Sequence, residues 1–217
     1  LNFAARNSLV MKIQLKNIQH SEALSEETNA FSASLYINDF KAGTASNRGH
    51  GGPTDYHALN VRGGQLIREA EEYCKTLPPE KFTVEGKEYT LDSNLEGYID
   101  NLLQKHLQQK DLQKFRAKLD KAIQQTIVFG IPDQSFSKLR LKFPVDMILA
   151  HPNGKNILTD ILIRRVKPEL KEGEVILNTN IPESILKNAG FKPEQYVTPS
   201  ETKPVKKTNQ KKKGQGL

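Results

Sequence analysis

Apolar and polar positions along this chain alternate first at the spacing of strands, then of helices, then of strands again. Residues 11–20 set Ile13, Leu15 and Ile18 among polar neighbours, the pattern of a half-buried strand. After a polar connection over 21–29, Phe31, Ala33, Leu35 and Ile37 keep strict period-two spacing. Asn38-Asp39 is a turn pair, so residues 40–46 are expected to return antiparallel to 31–37. Gly63-Gly64 then lead into 65–77, where Leu66, Ile67, Ala70, Tyr73, Cys74 and Leu77 share one helical face that Pro78-Pro79 ends.

A small hairpin is expected over 82–91 around Glu85-Gly86-Lys87. Ser93-x-x-Glu96 has the form of a capping box. The apolar stripe after it slips register near 109–111, which predicts two helices, or one kinked helix, over about 94–128. His106 falls on that stripe and reads as a partly buried structural histidine. Residues 138–143 alternate as a strand and 145–150 continue it. Pro152-Asn153-Gly154 signals a turn, and the apolar runs at 157–166 and 174–177 read as further strands. Residues 182–189 form a short helix closed by Gly190, with Asn180 as its expected N-cap.

The fold class implied is α+β, with antiparallel strands at both ends flanking a helical middle. Residues 11–198 read as a single domain, with two small lobes (about 11–92 and 93–198) as the alternative. Residues 1–10 read as an upstream extension or expression remnant. Residues 199–217 read as a disordered, lysine-rich tail.

Composition narrows the class. At 36% hydrophobic and 26% charged, the chain is too apolar to be wholly disordered. Its single cysteine, Cys74, excludes an internal disulfide framework and fits a reducing compartment; it reads as a packed core thiol. No apolar run approaches the roughly 18–20 residues of a membrane span, and the start lacks a signal-peptide core, so no membrane partner and a cytoplasmic location are expected. The net charge of +7 is unevenly placed. Lys203, Lys206, Lys207, Lys211, Lys212 and Lys213 stand against Glu201 alone, a balance of +5 in the tail. The rest holds 26 basic and 24 acidic residues, a balance of +2. Such a tail attracts phosphate polymers in a salt-dependent way, and it serves equally as a solubilising terminus.

The segment from Asn47 to His57 carries the most chemistry. Gly49, Gly51 and Gly52 allow positive φ, and consecutive amides there can form an anion nest beside Arg48 and His50. Neither a Walker loop nor a dinucleotide fingerprint is present. The plainer reading is a tight loop stapled by its own Asn47, Thr54 and Asp55. His50, Asp55 and His57 are weak metal candidates at no established ligand spacing, and no cofactor is predicted. Asp146 and Asp160, on what read as strands, are the material of a nuclease-like magnesium site. Arg140, Lys142, Arg164, Arg165 and Lys167 can form a basic strip beside them.

The stretch SEETNAFSASLYI over 25–37, continuing through KAGTASN to GHGGP at 49–53, resembles small uncharacterised proteins encoded by bacteriophages and bacterial mobile elements. The resemblance implies a bacterial or phage-infected cytoplasm and brings no assigned activity.

Three functions follow as expectations. The first is a non-enzymatic binding protein that contacts nucleic acid or host machinery through Asn47, Arg48, Gly49, His50, Gly51, Gly52, Asp55, Tyr56 and His57, with the tail adding electrostatic reach. The second is a binder of a nucleotide or phosphate ligand, such as an anti-defence protein that sequesters it. The third is a metal-dependent hydrolase using His50, Asp55 and His57.

Overall fold

The computed structural model describes residues 10–198. Residues 1–9 of the expected extension, and the expected tail over 199–217, lie outside the described residues. Strands and helices alternate in a mixed α+β fold, with antiparallel sheets flanking a helical middle. The chain divides into two compact units at Lys110/Asp111. The sequence-based lobe boundary at 92/93 lies earlier in the chain than this division, which falls inside a helix.

The first unit is a four-stranded antiparallel meander, β1 (Ile13–Ser21), β2 (Ala30–Ile37), β3 (Phe40–Asn47) and β4 (Asp55–Ala58), in that spatial order. Asn38 and Asp39 both take positive φ, which suits the two-residue turn joining β2 to β3. Helix α1 (Val61–Lys75) and the first part of α2 (Leu95–Gln125) cover one face. Phe31, Ala33, Leu35 and Ile37 meet Ile67, Ala70, Cys74, Leu95, Ile99 and Leu103 there in one buried core. The period-two and helical patterns thus converge on the same interior, and Cys74 is packed within it. Ser32, Thr44, Asp55 and His57 are exposed on the other face.

Helix α1 begins earlier than expected. Asn60 caps it by accepting from the Gly63 amide at 2.9 Å, so Gly63-Gly64 lie inside the helix. The capping box at Ser93 does not form. Asn94 caps α2 instead, accepting from the Gly97 amide at 2.7 Å, while Ser93 donates to the Pro78 carbonyl. The hairpin β5 (Glu80–Val84) and β6 (Lys87–Leu91) forms as expected, with Phe82 stacked on Tyr89. The expected break near 109–111 is absent, and α2 is one helix. His106 is exposed, not partly buried.

In the second unit α2 passes directly into β7 (Thr126–Ile131), the middle strand of a sheet ordered β8 (Ser135–Arg140), β7, β9 (Val175–Ile176). Leu119, Ala122 and Ile123 of α2 pack with Val128, Phe136 and Leu177. Another buried cluster holds Ile127, Phe129 and Ile176 with Val145, Leu158, Leu162, Val166, Ile185 and Leu186.

The strands expected at 145–150 and 157–166 are helices: α3 (Val145–Ala150) and α4 (Gly154–Ile161), which continues as a π-helical turn (Leu162–Val166). Val145 and Ile148 lie three apart and Leu158, Leu162 and Val166 four apart, and all are buried, so helical burial fits these runs as well as strand alternation does. The last helix, α5 (Glu183–Asn188), is preceded by Pro182 at the N-cap position, not Asn180.

Candidate functional site

The loop after β3 is held by side chains and carbonyls on either side of it. Asn47 Oδ1 accepts from the Gly49 amide at 2.8 Å and from Thr28 Oγ1 at 2.9 Å, while Asn47 Nδ2 donates to the Gly52 carbonyl at 2.8 Å. The Gly49 carbonyl accepts from three successive amides, those of Glu26, Glu27 and Thr28, at 3.0, 3.0 and 3.3 Å. A nest of amides therefore exists here, but it lies in the 26–28 turn and is filled by the protein's own carbonyl. The Gly49 and Gly51 amides are also engaged, the latter with Thr28 Oγ1 at 3.3 Å. Thr54 is buried, donating its amide to Glu96 Oε1 at 3.1 Å and its hydroxyl to Asp100 Oδ1 at 2.6 Å.

The loop divides two hollows of opposite charge. On one side a space of about 630 Å3 is lined by Glu27, Glu96 and Asp100 with Thr54 and Asn101, and by no basic residue. Burial raises the Asp100 carboxyl above its ordinary value, opposed by the hydrogen bond from Thr54. This side repels phosphate. On the other side a space of about 480 Å3 is lined by His20, Arg48, His50, Asn47 and Ser32 over Phe31, with no carboxylate in its lining. His50 Nδ1 lies 3.1 Å from Glu26 Oε2 at its edge.

The predicted site residues are thus only partly gathered. Arg48 and His50 line the second hollow, Gly51 and Gly52 line the first, and Asn47 lines both. Asp55 and His57 point together from the exposed face of β4, in register with Ser46 and Thr44. Tyr56 points to the opposite face, where its hydroxyl donates to Glu71 Oε1 at 2.9 Å. Burial, then Glu71, push the Tyr56 hydroxyl up to about 12. His50, Asp55 and His57 do not converge, and among the described residues no group of three metal-binding side chains does.

The expected magnesium pair is also separated from its supposed strands. Asp146 sits in the first turn of α3, and Asp160 on α4 is ion-paired with Arg164 at 2.6 Å. Two members of the expected basic strip, Lys142 and Arg165, do come together along one apolar groove of about 550 Å3. His20 and the groove residues Phe143, Met147 and Ile157 were not anticipated. His20 had no motif to mark it, and the helical reading of 145–161 was needed to place the other three on one surface.

Known protein families, curated proteins and solved structures yield no match to the chain. Among the described residues, no helix is long and apolar enough to cross a membrane.

Proposed function

We propose that the protein is a non-enzymatic nucleic-acid-binding protein whose phosphate contacts come from the second unit and the lysine-rich segment after it. The division of charge between the units carries this reading. Residues 10–110 hold 11 basic and 14 acidic side chains, a balance of −3, whereas residues 111–198 hold 14 and 10, a balance of +4. The +5 of residues 199–217 follows the basic unit directly. Within that unit Lys114, Arg116, Arg164 and Lys187 are ion-paired. Lys138, Arg140, Lys142 and Arg165 are exposed with no ion pair among the described residues, so they can exchange counterions for phosphate. The Asn47–His57 loop moves from the centre of this reading to its edge, because its Gly49, Gly51 and Thr54 amides are engaged and Glu27, Glu96 and Asp100 flank it.

The test is fluorescence anisotropy with labelled single- and double-stranded oligonucleotides at about 50 and about 200 mM salt. Binding that weakens steeply with salt is expected. The triple reversal Arg140→Glu, Lys142→Glu, Arg165→Glu should weaken it about tenfold or more. Absence of binding at the lower salt, or indifference to the reversal, rejects the second unit's role.

The carboxylate-free hollow beside Arg48 favours a second reading, a nucleotide or other phosphate ligand held by Arg48, His20 and His50 over Phe31. A thermal-shift series with mono-, di- and cyclic nucleotides tests it. A rise in melting temperature that Arg48→Ala abolishes is expected; a flat series at millimolar ligand rejects it.

A further inference from the structure

The groove on the second unit has features that phosphate binding does not require. Its walls are the segment after β8, helix α3 and helix α4, and Leu141, Ile148 and Ile161 form part of its lining. Phe143, Met147 and Ile157 remain 49%, 57% and 38% exposed along it, although each neighbours residues of the buried core. Three large apolar side chains left open around one concavity mark a surface that binds something apolar. Met147 adds a side chain that re-packs readily against a partner.

The groove's charge says what kind of partner. Lys142 and Arg165 stand along it beside His151, whose Nδ1 accepts from the Asn153 amide at 3.2 Å, and no aspartate or glutamate lines it. The contrast within one turn of helix is informative. Arg164 is neutralised by Asp160, while Arg165, beside it and turned to the groove, has no ion pair among the described residues. An apolar floor with an uncompensated cationic rim complements a segment that is apolar on one face and acidic on the other. A hollow of this volume takes anchoring side chains, not a whole helix, and an amphipathic helix presents such anchors at i, i+3, i+4 and i+7.

Nucleic acid fits the same groove less well. Bases need aromatic faces to stack on, and the lining offers the Phe143 ring and the smaller His151 imidazole alone. The Lys142 ammonium already lies over its ring, 5.6 Å from the centroid. Met147, Ile157 and Ile161 offer aliphatic surface that a base does not use.

We infer that this groove is a docking site for an acidic amphipathic helix of another protein. The inference shares Lys142 and Arg165 with the nucleic-acid reading, and the apolar floor is what sets it apart. Three labelled synthetic peptides of about 16 residues test it on the full chain by fluorescence anisotropy. One carries Leu and Phe at i, i+3, i+4 and i+7 with Glu outward, one has Lys in place of each Glu, and one has Ser in place of each Leu and Phe. Saturable binding of the first is expected, with both others about tenfold weaker or worse. Ile157→Glu and Arg165→Glu should each weaken the first peptide by a similar factor. Should Ile157→Glu fail to fold, Met147→Ser, at a more exposed position, takes its place.

Equal binding of the three peptides, or no binding of any, overturns the proposal. Direct binding of a single-stranded oligonucleotide that Met147→Ser weakens as much as it weakens the first peptide would assign the groove to nucleic acid and overturn it too. So would a concentration-dependent dimer in sedimentation velocity that the same substitution abolishes, since the occupant would then be a second copy. Peptide binding without oligonucleotide binding leaves this inference standing and rejects the nucleic-acid reading; the reverse pattern does the opposite.

Discussion

Gly49 sits where the chain has no room for a side chain. A Cβ there would come within 2.0 Å of the Leu24 carbonyl oxygen, at a φ of +93° that side chains disfavour. The same residue supplies the carbonyl that the 26–28 amides converge on. Gly49→Ala is therefore expected to cost about 3 kcal/mol. Gly52 has nothing within 4 Å of its would-be Cβ, and Gly52→Ala should fall within about 0.5 kcal/mol of wild type. Urea denaturation of the pair distinguishes a stapled loop from one whose glycines serve a ligand, because a ligand role predicts two variants of near-equal stability. Tyr56 gives a pH-dependent counterpart. Its hydroxyl value in the folded state lies above the ordinary 10.0, at about 12. The hydrogen bond to Glu71 is thus intact below pH 10 and lost as pH rises toward 12. Tyr56→Phe should cost about 1 kcal/mol at neutral pH. The gap to wild type should close as pH climbs through that window, as followed by urea midpoints; a gap that widens would contradict the assigned partner.

The elements differ in how plainly the sequence announces them, and the reason is physical. At 31–37 one face of the strand packs apolar side chains under α1 and α2 and the other carries Ser32, Ser34 and Tyr36, so alternation is strict and readable. At 145–166 the apolar residues form short dense runs, which strand and helix burial produce alike, and the two strands expected there are helices. The loop's glycines announced positive φ, but the Glu26–Thr28 turn that fills their neighbourhood comes about twenty residues earlier, and no local pattern links the two. The passage from α2 to β7 is likewise settled from far along the chain. The Ile123 carbonyl in the last turn of α2 accepts from Asn180 Nδ2 at 2.8 Å, and the Thr126 carbonyl accepts from Asn178 Nδ2 at 3.0 Å. Asn178 Oδ1 meanwhile accepts from the Val128 amide at 2.6 Å, and the residue is fully buried. Two asparagine amides thus satisfy backbone groups that a helix end would otherwise leave orphaned, which is how the chain turns into a strand without a loop. Asn178→Ala strips those partners from buried groups and is expected to cost about 3 kcal/mol by urea denaturation. Asn180→Ala, at a less buried position, should cost about 1 kcal/mol. Equal and small losses would show that water replaces both amides and that the turn does not depend on them.

At the scale of the molecule, the division at Lys110/Asp111 changes the meaning of the charge. The sequence readily located a +5 tail, but the remaining +2 looked nearly neutral because the −2 of residues 1–110, Arg6 included, and the +4 of residues 111–198 largely cancel within it. The cancellation was invisible without the division, since no composition shift marks a boundary inside α2. Salt dependence separates the two sources of positive charge. Each phosphate neutralised contributes a slope of about −0.7 to −0.9 in log affinity against log salt. If all six tail lysines engage a nucleic acid, removing residues 199–217 should reduce the steepness by about 4 to 5. The truncated chain should keep a residual slope, and the Arg140→Glu, Lys142→Glu, Arg165→Glu reversal in that background should flatten it further. A change below about one on truncation means that the tail takes little part. A truncated chain with no remaining salt dependence means that the second unit's cations face solvent and nothing else.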